Sequence, residues 1–156
     1  MGSIVCATRG GEGSRAAQMA AIERAKATDS PLLFLYVVDP LSLETEIETS
    51  LKNALLAELT WMGETLLRTA QKRADAAFLA TEVKIRRGSV RQEIIRFVQD
   101  VQADLLVVGA PRGTTANVFG DDAIERLAEA IRQETAVAVE IIRPDYVNMQ
   151  SESAAP

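Results

Sequence analysis

The sequence predicts an α/β domain built on a parallel sheet covered on both faces. Two observations carry that expectation. Short, nearly continuous apolar runs recur along the chain, each bounded by Gly, Pro, Asp or Arg. Between them lie longer segments with apolar residues at helical spacing. A length of 156 residues fits one domain, and 47% hydrophobic with 25% charged residues is enough apolar material for a core, which excludes wholesale disorder.

The first run, Ser3-Ile4-Val5-Cys6-Ala7-Thr8, reads as a strand buried on both faces. It stops at Arg9, and Gly10, Gly11 and Gly13 then break regular structure. Residues 14–28 are Ala-rich and helical, with Ser14 near the start and Ala17, Ala21 and Ala25 on one face. Asp29-Ser30-Pro31 ends that helix. Leu32-Leu33-Phe34-Leu35-Tyr36-Val37-Val38 is the second buried strand, stopped by Asp39-Pro40. A long segment follows over residues 43–77. Leu51, Leu55, Leu59, Met62 and Leu66 make its later part an amphipathic helix, while residues 42–49 read as a helical extension or a loop.

Thr81-Glu82-Val83-Lys84-Ile85-Arg86 alternates and is a third, more exposed strand, broken at Gly88-Ser89. Val90, Ile94, Phe97, Val98 and Val101 mark a third helix. Asp104-Leu105-Leu106-Val107-Val108-Gly109 is the clearest buried strand and opens into a Gly-containing loop over residues 110–119. Ile124, Leu127, Ala128 and Ile131 mark the last helix, and Ala136-Val137-Ala138-Val139-Glu140-Ile141-Ile142 is the fifth strand. The domain is expected over residues 1–144, with a polar tail over 145–156. Ligands of such sheets bind beyond the carboxyl ends of the strands, where strand order reverses. The first and fourth strands both end in Gly-rich loops, so the crevice is expected between them.

Composition removes several functions. His is absent, which excludes Ser-His-Asp triads and imidazole metal sites. The single cysteine, Cys6, forms no internal disulfide and reads as a buried thiol. A net charge of -5 argues against non-specific nucleic-acid binding. The first apolar run is too short for a secretory signal, and no run approaches the ~20 residues of a membrane span, so the expectation is a cytoplasmic protein. No catalytic constellation and no metal site is assembled. Asp39, at a strand's carboxyl end, is the best-placed carboxylate, but Asp-Pro is also an ordinary turn opener.

Over residues 3–143 the chain resembles the universal stress protein (UspA-like) family. The resemblance rests on the strand and loop from Ile4 to Ser14, on Tyr36-Val37-Val38-Asp39-Pro40, on Gly88, and on Ala103-Asp104-Leu105-Leu106-Val107-Val108-Gly109 with the last strand ending Ile141-Ile142-Arg143-Pro144. It implies an adenine nucleotide alpha hydrolase-like sheet of order 3-2-1-4-5 and a homodimer paired through the last strand. An apolar edge strand would suit such pairing. It also implies a regulatory or stress-response role without robust catalysis. The alternatives are a sensor of ATP, AMP or another phosphorylated ligand and, behind it, a slow ATPase using Mg.

ATP-binding members resemble one another in a pattern of Gly, two residues, Gly, nine residues, Gly, then Ser or Thr. Gly109 matches the first glycine. Arg112 stands where the second belongs, with Gly113 one place late. Gly120 is two places early and is followed by Asp121 and Asp122 instead of a hydroxyl. Those carboxylates either stabilise the helix start or oppose a phosphate there. Arg9 stands where such members carry an acidic residue. Arg9 and Arg112 either supply two guanidinium groups to an anion or are solvated loop residues. The candidate cofactor-binding residues are therefore Thr8, Arg9, Val38, Gly109, Arg112, Gly113, Gly120 and Asp121. Arg86, Arg87 and Arg91 around Gly88 add a basic rim at the same end of the sheet.

Overall fold

The computed structural model describes residues 2–8, 12–40, 48–110 and 123–144. Its elements follow the expected order: β1 (Ser3–Ala7), α1 (Glu12–Thr28), β2 (Leu32–Val38), α2 (Thr49–Ala76), β3 (Thr81–Arg87), α3 (Val90–Asp100), β4 (Ala103–Gly109), α4 (Ala123–Glu134) and β5 (Ala138–Ile142). Every strand pair is parallel and the sheet order is β3-β2-β1-β4-β5. Order reverses between β1 and β4, which places the switch point where the two Gly-rich loops leave the sheet.

Alternation along the central strands sends successive side chains to opposite faces. Ile4, Cys6, Phe34, Tyr36, Val38 and Val107 face one layer, where α1 and α2 contribute Ala17, Ala21, Ala25, Leu67, Ala70 and Ala74. Val5, Leu35, Leu106 and Val108 face the other, against Ile94, Phe97 and Val98 of α3 and Ile124, Ala128 and Ile131 of α4. The alanine face of α1 is fully buried, as its spacing predicts.

α2 departs from the expected stripe. Its buried residues are Leu56, Gly63, Leu67, Ala70 and Ala74, while Leu51 and Met62 are about half exposed. Trp61 is also exposed rather than packed on the sheet. The reason is Tyr36 of β2, whose ring lies against the backbone of Gly63. A side chain on Gly63 would come within 2.7 Å of Tyr36 Cε1. Gly63, Ala70 and Ala74 let α2 approach the sheet beside buried Leu56 and Leu67, and Leu51 and Met62 fall on the outer side.

Ion pairs tie the periphery. Arg24 of α1 forks onto Glu140 of β5, with Nη2–Oε1 at 2.6 Å and Nε–Oε2 at 3.1 Å. That partner raises the Arg24 pKa, first by hydrogen bonding and then by charge attraction. β5 starts at Ala138, two residues later than the sequence suggests, after a bend at residues 135–136.

Candidate functional site

A cavity of about 120 Å³ opens at the carboxyl ends of the central strands. Ala7 and Thr8 come from β1 and the residue after it, Leu35 and Val37 from β2, and Val108 and Gly109 from β4. Val90 and Ile94 of α3 and Ile124 and Leu127 of α4 close the remaining side. Among the described residues its walls carry no charged side chain, and Thr8, the one hydroxyl-bearing residue among them, turns its Oγ1 to Gln18 in the α1–α2 layer. Such a space suits an apolar ring read by a few polar groups.

Gly109 is the meeting point of β4 and the start of α1. A side chain built on it would overlap the carbonyl of Gly13 and lie 2.9 Å from the Ser14 nitrogen. One built on Gly13 would overlap the carbonyl of Ala110. Two bare backbones are thus pressed together at the lip of the cavity, and Ala110 N–H is held by Ile142 C=O at 2.9 Å. Gly109 has a packing reason as well as a place at the cavity.

Thr8 is buried and held twice. Its N–H donates to Leu35 C=O at 2.8 Å, and its Oγ1 accepts from Gln18 Nε2 at 2.7 Å. Gln18 Oε1 in turn accepts from Arg73 Nη1 of α2.

Val38 and Val37 have different surroundings. The Val38 side chain is buried in the α1–α2 layer, and its C=O accepts Gly88 N–H at 2.9 Å on the β3 side. Because main-chain groups alternate along a strand, Leu35 and Val37 turn theirs toward β1. β1 ends at Ala7, opposite Leu35. Val37 therefore carries its N–H and C=O beyond the end of β1, beside the cavity that it lines. Period-two alternation is visible in the sequence, but its phase is set only by the strand pairing.

The basic rim is largely committed elsewhere. Arg86 Nη2 donates to Asp100 Oδ2 at 2.9 Å, and its guanidinium sits 5.1 Å from the centre of the Phe97 ring. Arg86 also lies 3.8 Å from Glu93, a buried acid that pairs with Arg96 at 3.0 Å. Arg91 pairs with Glu134 of α4 at 2.8 Å. These ion pairs fasten α3 to β3 and α4. Gly88, at φ 149°, sits against the Glu93 side chain.

Arg9, Arg112, Gly113, Gly120, Asp121 and Asp122 lie outside the described residues. Cys6 lies two residues before Thr8 with its thiol fully buried, and burial pushes its pKa up to about 12. It offers no thiolate nucleophile near neutral pH. Among the described residues no three acidic or thiol side chains gather into a metal cluster. No helix among them is long and apolar enough to cross a membrane.

Comparison with known proteins adds a lineage to this geometry. A family model described as the universal stress protein family matches residues 1–143. No curated protein matches the chain. Among solved structures, the universal stress protein UspA from Lactobacillus plantarum is similar at 19% identity and a TM-score of 0.73, covering 90% of this chain and 97% of that one. A universal stress protein family protein from Arabidopsis thaliana, solved with AMP bound, is similar at 17% identity and a TM-score of 0.64, covering 99% of both chains. A universal stress protein in complex with cAMP is similar at 19% identity and a TM-score of 0.65, covering 90% of this chain and 96% of that one.

Proposed function

The chain belongs to the universal stress protein family, and from that premise we propose that it is a cytoplasmic regulatory protein that senses an adenine mononucleotide, with no robust catalysis. The observation that carries the reading is the cavity at the switch point. Its apolar walls fit a base, and Val37 brings one main-chain donor and one acceptor to its edge. Two structural neighbours were solved with AMP or cAMP, which supports the same ligand class.

A mononucleotide fits better than a triphosphate. Asp121 and Asp122 bring carboxylates to the place where the family pattern has a hydroxyl, and each further phosphate adds charge for them to repel. Arg9 and Arg112 supply at most two cations to the same loops. The absence of His and the buried thiol remove an imidazole base and a thiolate nucleophile near neutral pH. The protein acts as a homodimer paired through β5, which lies at a sheet edge.

Calorimetry of ligand-free protein with AMP, cAMP, ADP and ATP, each with and without magnesium, tests the ligand. AMP or cAMP should release heat and raise the melting temperature in proportion to ln(1 + [L]/Kd), without needing magnesium. No heat and no thermal shift at millimolar nucleotide would remove the sensor reading.

A further inference from the structure

We infer that the outer face of α2 is a contact surface for a second copy of this chain, the two α2 helices packing antiparallel about a two-fold axis at Thr65. The inference stands apart from the nucleotide reading and from the β5 pair. α2 lies over β2 and β3, at the other end of the sheet from β5.

The face is fixed by what the opposite one buries. Gly63, Leu67 and Ala70 turn to the sheet, so Thr65 stands at the middle of the solvent side. Steps of four, seven and eleven residues return to one face of a helix. Four before Thr65 is Trp61 and four after is Thr69. At seven stand Glu58 and Lys72, and at eleven Ala54 and Ala76. All of these are exposed.

In an antiparallel pair centred on Thr65, residues equally far on either side of it meet. Glu58 of each copy then faces Lys72 of the other, which makes two symmetric ion pairs. Among the described residues neither group pairs with a charge of its own chain. The bulky Trp61 falls on the small Thr69, and Ala54 falls on Ala76. Arg68 lies within one residue's rise, about 1.5 Å, of level with the Trp61 of the other copy, where a cation suits the indole face. Trp61 is 63% exposed and shares a shallow surface groove with Ala57, Glu58 and Met62. The antiparallel setting also opposes the two helix dipoles. A partner of one charge sign would match one half of this face and clash with the other half. A reversed copy of the same helix matches both. One helix face buries less than the ~1,200 Å² of a stable interface, so the contact forms on the order of hundreds of micromolar.

Trp61 is the single tryptophan of the chain, so its fluorescence reports this face. Emission and sedimentation of the full chain are followed from tens of micromolar to about 1 mM. As concentration rises, emission should move to shorter wavelength while the mass grows beyond that of the β5 pair. Added salt should weaken both changes. Glu58→Lys and Lys72→Glu each leave one charge sign at both positions. Each alone should associate at least about tenfold more weakly, with an unchanged melting temperature. An equimolar mixture of the two should recover wild-type strength, since each supplies the sign that the other lacks. Emission and mass that stay constant to about 1 mM overturn the inference. So does undiminished association in both charge variants, or a mixture no stronger than either variant alone. If a single variant does not fold, the double variant, which exchanges the two charges, decides. It should associate as the wild type does, and its failure to do so overturns the proposal.

Discussion

Gly109 answers to two demands at once, and they can be separated by substitution. Alanine at this place in a strand would ordinarily gain backbone rigidity, about 0.5–1 kcal/mol over glycine. Here its methyl group would overlap the carbonyl of Gly13, with the Ser14 nitrogen 2.9 Å away, and backbone cannot swing aside as a side chain does. Gly109→Ala should therefore lose about 1–3 kcal/mol of stability in urea unfolding of the ligand-free protein. A glycine kept only for a ligand would show no loss in that experiment. The position itself was legible, because an apolar run ending in glycine marks both a strand end and a tight turn. Its partner was not, since Gly13 and Gly109 meet only after α1 folds back on β4. Gln18 is a sharper case. It sits beside Ala17 in an Ala-rich helix, and nothing local distinguishes it from a solvated polar residue. Its meaning comes from Arg73, which belongs to another helix.

Helix ends show what local sequence does and does not announce. α2 finishes in a Schellman motif: Phe78 N–H donates to Asp75 C=O and Leu79 N–H to Ala74 C=O, both at 2.9 Å. The left-handed position of that motif usually holds glycine, yet here it is Phe78 at φ 62° with its side chain 93% exposed. Asp29 at φ 51° and Gln102 at φ 53° end α1 and α3 in the same region. Asp tolerates that conformation through its short polar side chain, whereas phenylalanine makes no such compensation. Phe78→Asn should gain about 1 kcal/mol and raise the melting temperature by about 2–4 °C, because the ring it removes faces solvent. An unchanged or lower melting temperature would mean that the aromatic ring contributes to folding. The element itself was readable from its spacing. Which of its apolar stripes meets the sheet was not, because Leu51, Leu55 and Met62 compete on paper with Leu56, Gly63 and Leu67. The Tyr36 ring of β2 decides for the face that carries glycine and alanine.

At the scale of the whole molecule, the sheet leaves two open edges, β3 and β5, and each is partly closed by a neighbouring helix. Gln71 of α2 donates to Thr81 C=O at 3.0 Å, and Arg132 of α4 donates to Val139 C=O at 2.8 Å. Ile142 C=O accepts Ala110 N–H on the β4 side, so alternation turns Val139 and Ile141 outward. β3 carries exposed Glu82 and Lys84, which disfavour addition of another strand. β5 carries Val139 and Ile141 at its outward positions, which favours it as the pairing edge in the proposed homodimer. Two copies related by a two-fold axis would align these strands antiparallel, with Arg132 displaced from Val139. Ile141→Pro removes one outward N–H while leaving the bonds to β4 intact. Light scattering at tens of micromolar should give a dimer for the wild type and a monomer for Ile141→Pro, with the circular dichroism of both alike. Arg132→Ala frees the Val139 carbonyl and should tighten the dimer. A wild-type monomer would overturn the β5 pairing, and so would a dimer that persists in folded Ile141→Pro with unchanged affinity, since the pairing would then run through another surface.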